Sequence, residues 1–353
     1  MQNLLAKINL KNIRENALAF KRRTNGKLCA VVKADAYGHG AEETVFALSE
    51  IADFFAVATE TEGVKIQTAA CGKEILVLTP PVCEKETEGL LLSGLSITVA
   101  SETDAVRLVR LAERLKLIPR VHLKLNTGMN RYGMTETELE KTCRFLKGTG
   151  VCVAGIYSHL YGRQPQTAEW QRLAFGRGAE ICRSEFPNVT RHLAATYGAA
   201  LGQDFYFDAV RIGLGLYGYL PSGVNGSVKD ELDLKKAMTV YARVQSRREY
   251  RFGGAGYGEL SDCERSALKG TGVSVLRAGY ADGFFREKQK RSVSLLQTND
   301  LCMDACLIAG RLEQGEYVPV LTDADESARR AGTTAYEILC GCTRRAELEY
   351  EYE

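Results

Sequence analysis

The first strand and turn of the fold are indicated by residues 28–40, Leu28-Cys29-Ala30-Val31-Val32-Lys33-Ala34-Asp35-Ala36-Tyr37-Gly38-His39-Gly40. Its first five residues are apolar and suit one buried strand that ends at Lys33. A lysine at the end of an apolar strand loses part of its solvation, which lowers its pKa and frees the amine to attack a carbonyl group, as a Schiff-base lysine must. A rim lysine without a chemical role is the commoner case, and position alone favours it. Tyr37 to Gly40 predict a glycine-bearing turn into a helix near residues 41–48, whose backbone N–H groups, with the tyrosine hydroxyl, offer a site for an anion.

Short apolar segments of the same kind recur through the first two thirds of the chain, with helical segments between them. The strand candidates are Leu28–Val32, Phe54–Val57, Ile75–Leu78, Ile97–Val99, Val121–Leu125, Val151–Ile156, Val189–Leu193 and Ala209–Ile212. Helices are indicated at Glu102–Leu115, with Ser101 as its cap, and at Thr167–Glu185. Strands that alternate with helices predict a parallel sheet, and eight units over roughly 220 residues predict a TIM barrel. An open doubly wound sheet is the alternative.

The pattern changes after Pro221-Ser222-Gly223-Val224-Asn225-Gly226 to short alternating segments separated by glycine turns. Met238–Val244 and Gly272–Leu276 are typical of these, and they predict a mostly β second domain. A short helix is indicated at Asp325–Ala331, whereas Thr334–Leu339 is ambiguous. The predicted domains are therefore a barrel at residues 8–226 and a β domain at residues 227–353, to which residues 1–7 are a candidate addition.

Composition narrows the class of partner. The 353 residues contain 46 Lys and Arg against 44 Asp and Glu, for a net charge of +2, and no long basic run suits nucleic acid or a membrane surface. We therefore expect a small-molecule partner. The first residues lack the pattern of a signal peptide and no stretch reaches the length of a membrane span, so we expect a cytoplasmic protein. Eleven cysteines without CxxC spacing, and no histidine after His192, favour reduced thiols and no metal.

Several polar residues fall at or near the ends of predicted barrel strands, where the active site of a TIM barrel lies. These are Lys33, Lys124, Arg131, His159, His192 and Arg211. All four histidines, which include His39 and His122, lie in the barrel half. A single histidine in a strand is more often a hydrogen-bonded core residue, but several polar groups that converge on one face argue against that reading. His159 is the best candidate of the four.

Val31-Val32-Lys33-Ala34-Asp35-Ala36-Tyr37-Gly38-His39-Gly40 resembles the pyridoxal-phosphate lysine motif of the alanine racemases over ten consecutive positions. Residues 121–131 and 210–218 are similar to two further segments of that family. The resemblance implies that Lys33 carries pyridoxal phosphate, that Arg131 contacts its phenolic oxygen, and that a carbamate on Lys124 holds Arg131 in place. It also implies that Arg211 faces the pyridine nitrogen. The implied phosphate contacts come from Tyr37, from the hydroxyl of Thr196, and from backbone amides at Gly213 and Leu214. Without the resemblance, we would interpret Lys124, Arg131 and Arg211 as ion-pair partners.

The resemblance continues into the second domain. Residues 252–258 are similar to the region of the family's second catalytic base, which makes Tyr257 the counterpart of Lys33 and implies a homodimer, because this tyrosine comes from the partner subunit. His159 and Arg211 would join it in a hydrogen-bond chain. Residues 278–283 and 301–304 match family landmarks in which Tyr280 and Met303 line the substrate entrance. The family's equivalent of Tyr336 helps to bind phosphate and narrows the pocket. For these aromatic and apolar residues, ordinary packing is the reading that the sequence alone prefers.

The chain also departs from the family pattern. Ala195-Thr196 replaces the usual Asn-Ser, Phe285 replaces a proline before Arg286, and Asp300 lies where an arginine often lies. Both implied bases are present, however. The resemblance therefore implies an alanine racemase that interconverts L- and D-alanine by a two-base mechanism and supplies D-alanine for cell-wall peptidoglycan. The alternatives are a serine racemase of the same family, a noncatalytic pyridoxal-phosphate carrier, which needs neither Tyr257 nor a second domain, and a decarboxylase of related fold.

Overall fold

The computed structural model describes residues 3–162, 164–254, 256–257, 259–286 and 301–352. Its strands are β1 Leu4–Asn9, β2 Lys27–Val31, β3 Phe54–Val57, β4 Ile75–Val77, β5 Ser96–Val99, β6 Arg120–Lys124, β7 Cys152–Tyr157, β8 Thr190–His192, β9 Ala209–Ile212, β10 Met238–Arg248, β11 Val273–Leu276, β12 Cys306–Ala309, β13 Tyr317–Leu321 and β14 Glu347–Glu351. Its helices are α1 Leu10–Thr24, α2 Lys33–Gly38, α3 Ala41–Leu48, α4 Glu60–Ile66, α5 Glu84–Leu92, α6 Glu102–Leu115, α7 Glu136–Leu146, α8 Pro165–Glu185, α9 Thr196–Leu201, α10 Gly226–Leu232, α11 Asp262–Leu268, α12 Ala324–Ala331 and α13 Ala335–Cys342.

The chain forms two compact units. The barrel unit comprises Asn12–Ala36 and Ala41–Lys235, and the second unit comprises Met1–Lys11, Tyr37–Gly40 and Lys236–Glu353. The predicted domain boundary between residues 226 and 227 stays a prediction.

Eight parallel strands make up the barrel unit, in the order β8-β7-β6-β5-β4-β3-β2-β9. The two outer strands approach each other through hydrogen bonds from Arg211 N to Ala194 O at 2.9 Å and from Asp208 N to Arg191 O at 3.0 Å, so the barrel is nearly closed. The predicted TIM barrel is confirmed, and the open doubly wound sheet is wrong.

The barrel elements follow the apolar pattern of the sequence closely. Every predicted barrel strand is present with its ends within one residue of the expected positions, because strands of a parallel sheet are covered on both faces and read as continuous apolar runs. The predicted helix at Glu102–Leu115 is α6, and the Ser101 hydroxyl accepts a hydrogen bond from Asp104 N. Helix α8 begins at Pro165, before the predicted start, since proline suits the first turn of a helix.

The second unit is built on a six-stranded sheet, which confirms the mostly β prediction. Its central strand β10 pairs antiparallel with β1, β11 and β13, while β1 also pairs with β14 in parallel. The predicted strand at Met238–Val244 continues to Arg248, and the ambiguous segment at Thr334–Leu339 lies largely in helix α13.

The segment after β2 differs from the sequence prediction. Instead of a glycine turn that starts at Tyr37, α2 is a left-handed turn in which four consecutive non-glycine residues have φ between 52° and 55°. They are Ala34, Asp35, Ala36 and Tyr37. Each L-residue in this conformation costs roughly 1–2 kcal/mol, so the turn needs support from outside itself. Backbone strain of this kind tends to cluster at functional sites.

Two acidic side chains hold the left-handed turn. Glu62 Oε1 accepts a hydrogen bond from Ala34 N at 2.8 Å, and Asp35 Oδ1 accepts from Ala41 N at 3.0 Å. Lys65 Nζ lies 2.8 Å from the same Asp35 oxygen. These contacts supply the stabilisation that local preference does not.

Two glycines close the turn where the second unit leaves no room for a side chain. Gly38 and Gly40 have φ of +81° and +83°. A Cβ atom would lie 2.5 Å from Leu339 O at Gly38, and 1.9 Å from the Tyr350 hydroxyl oxygen at Gly40. Both the backbone conformation and the space therefore require glycine here.

All eleven cysteines are unpaired, and five of them are buried, namely Cys29, Cys143, Cys182, Cys306 and Cys342. Within the described part of the chain, none of the helices combines the length and the apolar character needed to cross a lipid bilayer.

The left-handed turn leads to a stability prediction with opposite signs at two sites. Ala34 is exposed, so Ala34→Gly relieves strain without losing packing and should raise the free energy of unfolding by up to about 1 kcal/mol. Glu113→Gly, in the right-handed helix α6, should lower it by about 1 kcal/mol. Urea unfolding followed by far-ultraviolet circular dichroism measures both. Destabilisation by both variants would contradict a left-handed conformation at Ala34.

Candidate active site

The predicted site residues of the barrel unit come from the C-terminal ends of its strands. Lys33 follows β2 directly after Val32, Lys124 is the last residue of β6, and His159 follows the end of β7. Arg211 lies in β9, and Thr196 opens α9 after β8. Since parallel strands end at the same rim of a barrel, their order alone brings these side chains to one face.

Arg211 carries a charge into the barrel interior, where its side chain is 3% exposed. Its Nη1 donates to His192 Nδ1 at 3.1 Å and to the His192 carbonyl oxygen. Its Nη2 donates to Ser158 O at 2.6 Å and to Leu193 O at 3.1 Å. Burial lowers the pKa of the guanidinium, but arginine starts so high that it stays charged. The four N–H bonds of the two Nη atoms are thus directed at barrel atoms.

Two further basic groups have lowered pKa values in this environment. Burial, and then the charges of Arg211 and Arg131, hold the pKa of Lys124 well below its usual value. Burial also lowers the pKa of His159, followed by the charges of Arg211, Lys124, Arg131 and Lys33. Every charged group that acts on these two residues is basic. The barrel mouth is therefore a positive site suited to an anionic ligand.

Tyr157 forms the wall between the basic groups. Lys124 Nζ lies 4.0 Å from the centre of its ring and Arg211 Cζ lies 5.1 Å away, both within the range of cation–π attraction. The ring stacks on His192 with centroids 5.0 Å apart and an angle of 10° between the planes. Its hydroxyl group lies 2.8 Å from Thr98 Oγ1. The tyrosine thus contacts four neighbours at once.

A small cavity opens beside Lys124. Its volume is about 10 Å³, and Lys124, Arg131, His159, Thr127 and Ser158 contribute to its walls. A cavity of that volume has room for about one water-sized group.

The residues predicted to meet a phosphate group lie between β8 and the turn after β9. Gly213 precedes a short 3₁₀ turn at Leu214–Tyr217. The buried Thr196 Oγ1 accepts a hydrogen bond from Gly215 N at 3.2 Å. Because that bond uses an oxygen lone pair, the hydroxyl proton of Thr196 is left to donate to an anion. Ala195, the N-cap residue of α9, makes no side-chain hydrogen bond.

The second unit brings two tyrosines of the predicted set together. The rings of Tyr37 and Tyr336 lie 5.9 Å apart, at 43°. Burial raises the pKa of both phenols, with further repulsion between ionised Tyr37 and Tyr336. Both phenols therefore keep their protons near neutral pH.

Tyr280 and Met303 are also adjacent, since Tyr280 N donates to Cys302 O at 3.1 Å and Ala281 N to Met303 O at 2.9 Å. By contrast, Tyr257 is 71% exposed. Phe285 is exposed as well, whereas Asp300 lies outside the described residues.

The residues that the sequence analysis undervalued are those that hold Arg211. The pattern named His159 as the best histidine, but Arg211 bonds to His192, and His192 Nε2 lies 2.8 Å from His122 Nδ1. The sequence contains one indication of the role of His122: it lies two residues from Lys124 in β6, so both side chains lie on the same face of the strand.

The comparisons with known proteins agree with this arrangement. A sequence model described as the alanine racemase N-terminal domain matches residues 8–221, and one described as the alanine racemase C-terminal domain matches residues 237–350. The chain belongs to the alanine racemase family. The resemblance stated from the motifs is thereby confirmed.

Individual relatives of the alanine racemase family extend the match to nearly the whole chain. The alanine racemase of Carboxydothermus hydrogenoformans is 33% identical over 377 aligned residues, which cover 99% of this chain and 100% of that protein. A solved alanine racemase of Clostridium difficile 630 superposes with a TM-score of 0.86 at 25% identity, covering 100% of this chain and 96% of that one. An alanine racemase structure from Bartonella henselae, described with covalently bound pyridoxal phosphate, has the same fold, with a TM-score of 0.81 at 23% identity over 99% of this chain and 100% of that one.

Proposed function

We propose that this chain is a pyridoxal-phosphate-dependent alanine racemase, which interconverts L- and D-alanine by a two-base mechanism and supplies D-alanine for cell-wall peptidoglycan. The observation that carries the proposal is the cluster of basic side chains at the barrel mouth, in which the buried Lys124 and Arg211 lie 4.0 Å and 5.1 Å from the centre of the Tyr157 ring and Lys33 follows β2. It occurs in a chain that alanine racemases match over nearly its full length. The active chain consists of the barrel domain at 8–226 and the β domain at 227–353.

Pyridoxal phosphate fits the chemistry of these donors, because it is an anion and carries an aldehyde. We assign the covalent attachment to Lys33, whose amine would hold the cofactor. The phosphate contacts are assigned to Tyr37, Tyr336, Thr196 and the backbone amides of Gly213 and Leu214. The protonated phenols and the free Thr196 hydroxyl proton support this assignment. Arg131 and His159 complete the cofactor-binding set.

Arg211 is assigned to the pyridine nitrogen. A guanidinium has five N–H donors, and the four on Nη1 and Nη2 are directed at His192, Leu193 and Ser158. The N–H bond of Nε remains for a ligand. Because arginine keeps its proton, Arg211 would donate a hydrogen bond to the ring nitrogen without protonating it, which would limit side reactions such as transamination.

Lys33 and Tyr257 act as the two bases. When bound, pyridoxal phosphate supplies stabilisation of negative charge at the α carbon of the substrate. Lys33 moves a proton at one face of that carbon, and Tyr257 of a partner subunit moves a proton at the other face. The 71% exposure of Tyr257 within the single chain supports its contribution to a second copy. The functional unit is therefore a homodimer with shared sites.

Substrate recognition is assigned to Arg131, Met303 and Tyr280 at the entrance and the carboxylate group. The adjacency of Tyr280 and Met303 supports their joint role. Tyr336 takes up volume beside the substrate methyl group, which favours alanine over the larger serine. We place the enzyme in the cytoplasm, where a reducing environment keeps eleven cysteines as thiols.

The direct test of this function follows the loss of circular dichroism from L-alanine and from L-serine, with purified protein and added pyridoxal phosphate. Native protein should racemise alanine faster than serine. Tyr257→Phe should lower kcat by at least about 100-fold, because it removes one proton-transfer group. Tyr352→Phe, also exposed and in the second unit, is the matched control and should act like native protein. Faster turnover of serine would contradict the assignment of alanine as the preferred substrate. No turnover of either amino acid would favour a noncatalytic carrier.

The shared site has a separate test in mixed dimers. Lys33→Ala and Tyr257→Phe chains should each be inactive alone, but a mixed dimer contains one site with both native bases. Unfolding and refolding an equal mixture should restore about a quarter of native activity, since half of randomly assembled dimers are mixed. An equal mixture of native chains and chains that carry both changes should keep only about a quarter of native activity, because its mixed dimers contain no complete site, whereas sites formed within one chain would keep about half. No recovery with the single variants would contradict a tyrosine supplied by the partner.

We further propose that Lys124 is carbamylated and that its carbamate orients Arg131. The lowered pKa of Lys124 supports this, because the neutral form of its amine can add to carbon dioxide and release a proton. Protein equilibrated with ¹³C-bicarbonate should show one slowly exchanging carbamate carbon signal. Lys124→Met should lose that signal, whereas Lys141→Met, at an exposed lysine, should keep it. A native spectrum without the signal would contradict the modification.

A further inference from the structure

A line of hydrogen-bonded side chains crosses the barrel interior away from Arg211. Arg211 Nη1 lies 3.1 Å from His192 Nδ1, and His192 Nε2 lies 2.8 Å from His122 Nδ1. His122 Nε2 in turn lies 2.8 Å from Glu74 Oε1. The two imidazoles are 0% and 1% exposed. A TIM barrel usually fills this space with branched apolar side chains, so this polar chain needs a reason.

The hydrogen bonds along this line all run in one direction, from donor to acceptor toward Glu74. Arg211 can only donate, so His192 Nδ1 must accept and the His192 proton must lie on Nε2. That proton is donated to His122 Nδ1, so His122 carries its own proton on Nε2 and donates it to the Glu74 carboxylate. Burial and the neighbouring charge of Arg211 lower the pKa of His192, which is the direction that a neutral imidazole in this order requires.

Glu74 anchors the far end. It directly precedes β4, and its partner Arg120 begins β6, so both lie at the N-terminal ends of the strands, opposite to the end that carries Lys33. Glu74 Oε1 also accepts from Ser96 Oγ at 2.7 Å, and Oε2 lies 2.9 Å from Arg120 Nε. Against the cost of burial, the bonds from His122, Ser96 and Arg120 lower the pKa of this carboxyl to about 2. It therefore stays an acceptor.

The barrel makes specific room for this arrangement. Gly155 of β7 lies beside His122, and a Cβ atom at position 155 would be 2.2 Å from His122 Nδ1. The register between β6 and β7 also shifts between Val121 and His122. An apolar core would require neither the glycine nor the register shift. Both place the ring within reach of His192 on one side and Glu74 on the other.

We propose that His122 and Glu74 are positioning residues for Arg211, acting from the opposite end of the barrel. By fixing the tautomers of His122 and His192, the Glu74 carboxylate presents an acceptor to Nη1 and so orients the guanidinium, which leaves Nε–H for the ligand. This inference rests on the proposed function for the role of Arg211, but the hydrogen-bond order itself can be tested without that function.

The first test uses apoprotein labelled with ¹⁵N-histidine, in the absence of cofactor and substrate. The chain has only four histidines, so long-range ¹H–¹⁵N correlation can assign each tautomer. Protons on Nε2 of both His122 and His192 near neutral pH support the proposal. A proton on Nδ1 of either residue would overturn it, whatever the activity. Loss of racemisation by native protein would instead overturn the proposed function and leave this result intact.

The second test removes the anchor from the loaded enzyme. Glu74→Gln should lower kcat by about 10-fold and leave KM for alanine within about 2-fold, since partners that orient a functional group through other side chains typically matter on this scale. It should also shift the His122 resonances of the apoprotein. Glu185→Gln, a similarly exposed carboxylate paired with Lys147, is the matched control and should change neither. Glu74→Asp keeps the carboxylate and should recover part of the loss. A Glu74→Gln enzyme with kcat within 2-fold of native would overturn the proposal, and if that variant does not fold, the native tautomers still decide.

Discussion

One buried guanidinium determines how the barrel interior is built. An arginine that is 3% exposed has to be compensated by acceptors, and here they are carbonyl oxygens at the ends of β7 and β8 together with the imidazole of His192. Burial, and then the charge of Arg211, lower the pKa values of Lys124, His159 and His192, which weakens the repulsion between these basic groups. The positive potential that results is what an anionic cofactor would meet.

The backbone after β2 is the second feature that is unfavourable on its own. It is stabilised by side-chain hydrogen bonds and an ion pair. The left-handed turn of α2 places four L-residues in an unfavourable region of φ, and its stability depends on Glu62, Asp35 and Lys65 within the barrel unit. The turn follows Lys33 directly. A conformation that local preference disfavours is thus confined to the residues next to the proposed nucleophile, while the surrounding strands are ordinary.

The barrel could be predicted from the sequence because each strand is a continuous apolar run and each helix shows its own period and caps. Tyr37, Arg131 and Arg211 could be named because they lie in contiguous motifs. The left-handed turn could not be predicted, since Ala34 and Ala36 have no local reason to adopt it and the contacts that impose it come from Glu62 and Lys65. The line of hydrogen bonds from Arg211 to Glu74 could not be predicted for a similar reason. His122 is 70 residues from His192 and 48 residues from Glu74 in the sequence, and single histidines in strands carry little information. Tyr257 was named by its motif alone, and its part in a site stays a prediction.

The glycines that close the lysine motif imply an order of events during synthesis. Gly38 and Gly40 pack against the backbone of Leu339 and the side chain of Tyr350, more than three hundred residues later in the sequence. A nascent chain on the ribosome can complete its barrel strands long before those partners emerge. The segment after Lys33 therefore reaches its final shape only after Tyr350 has left the ribosome. A nascent chain that stalled within β14 would have complete barrel strands, while Gly40 would still lack its contact with Tyr350.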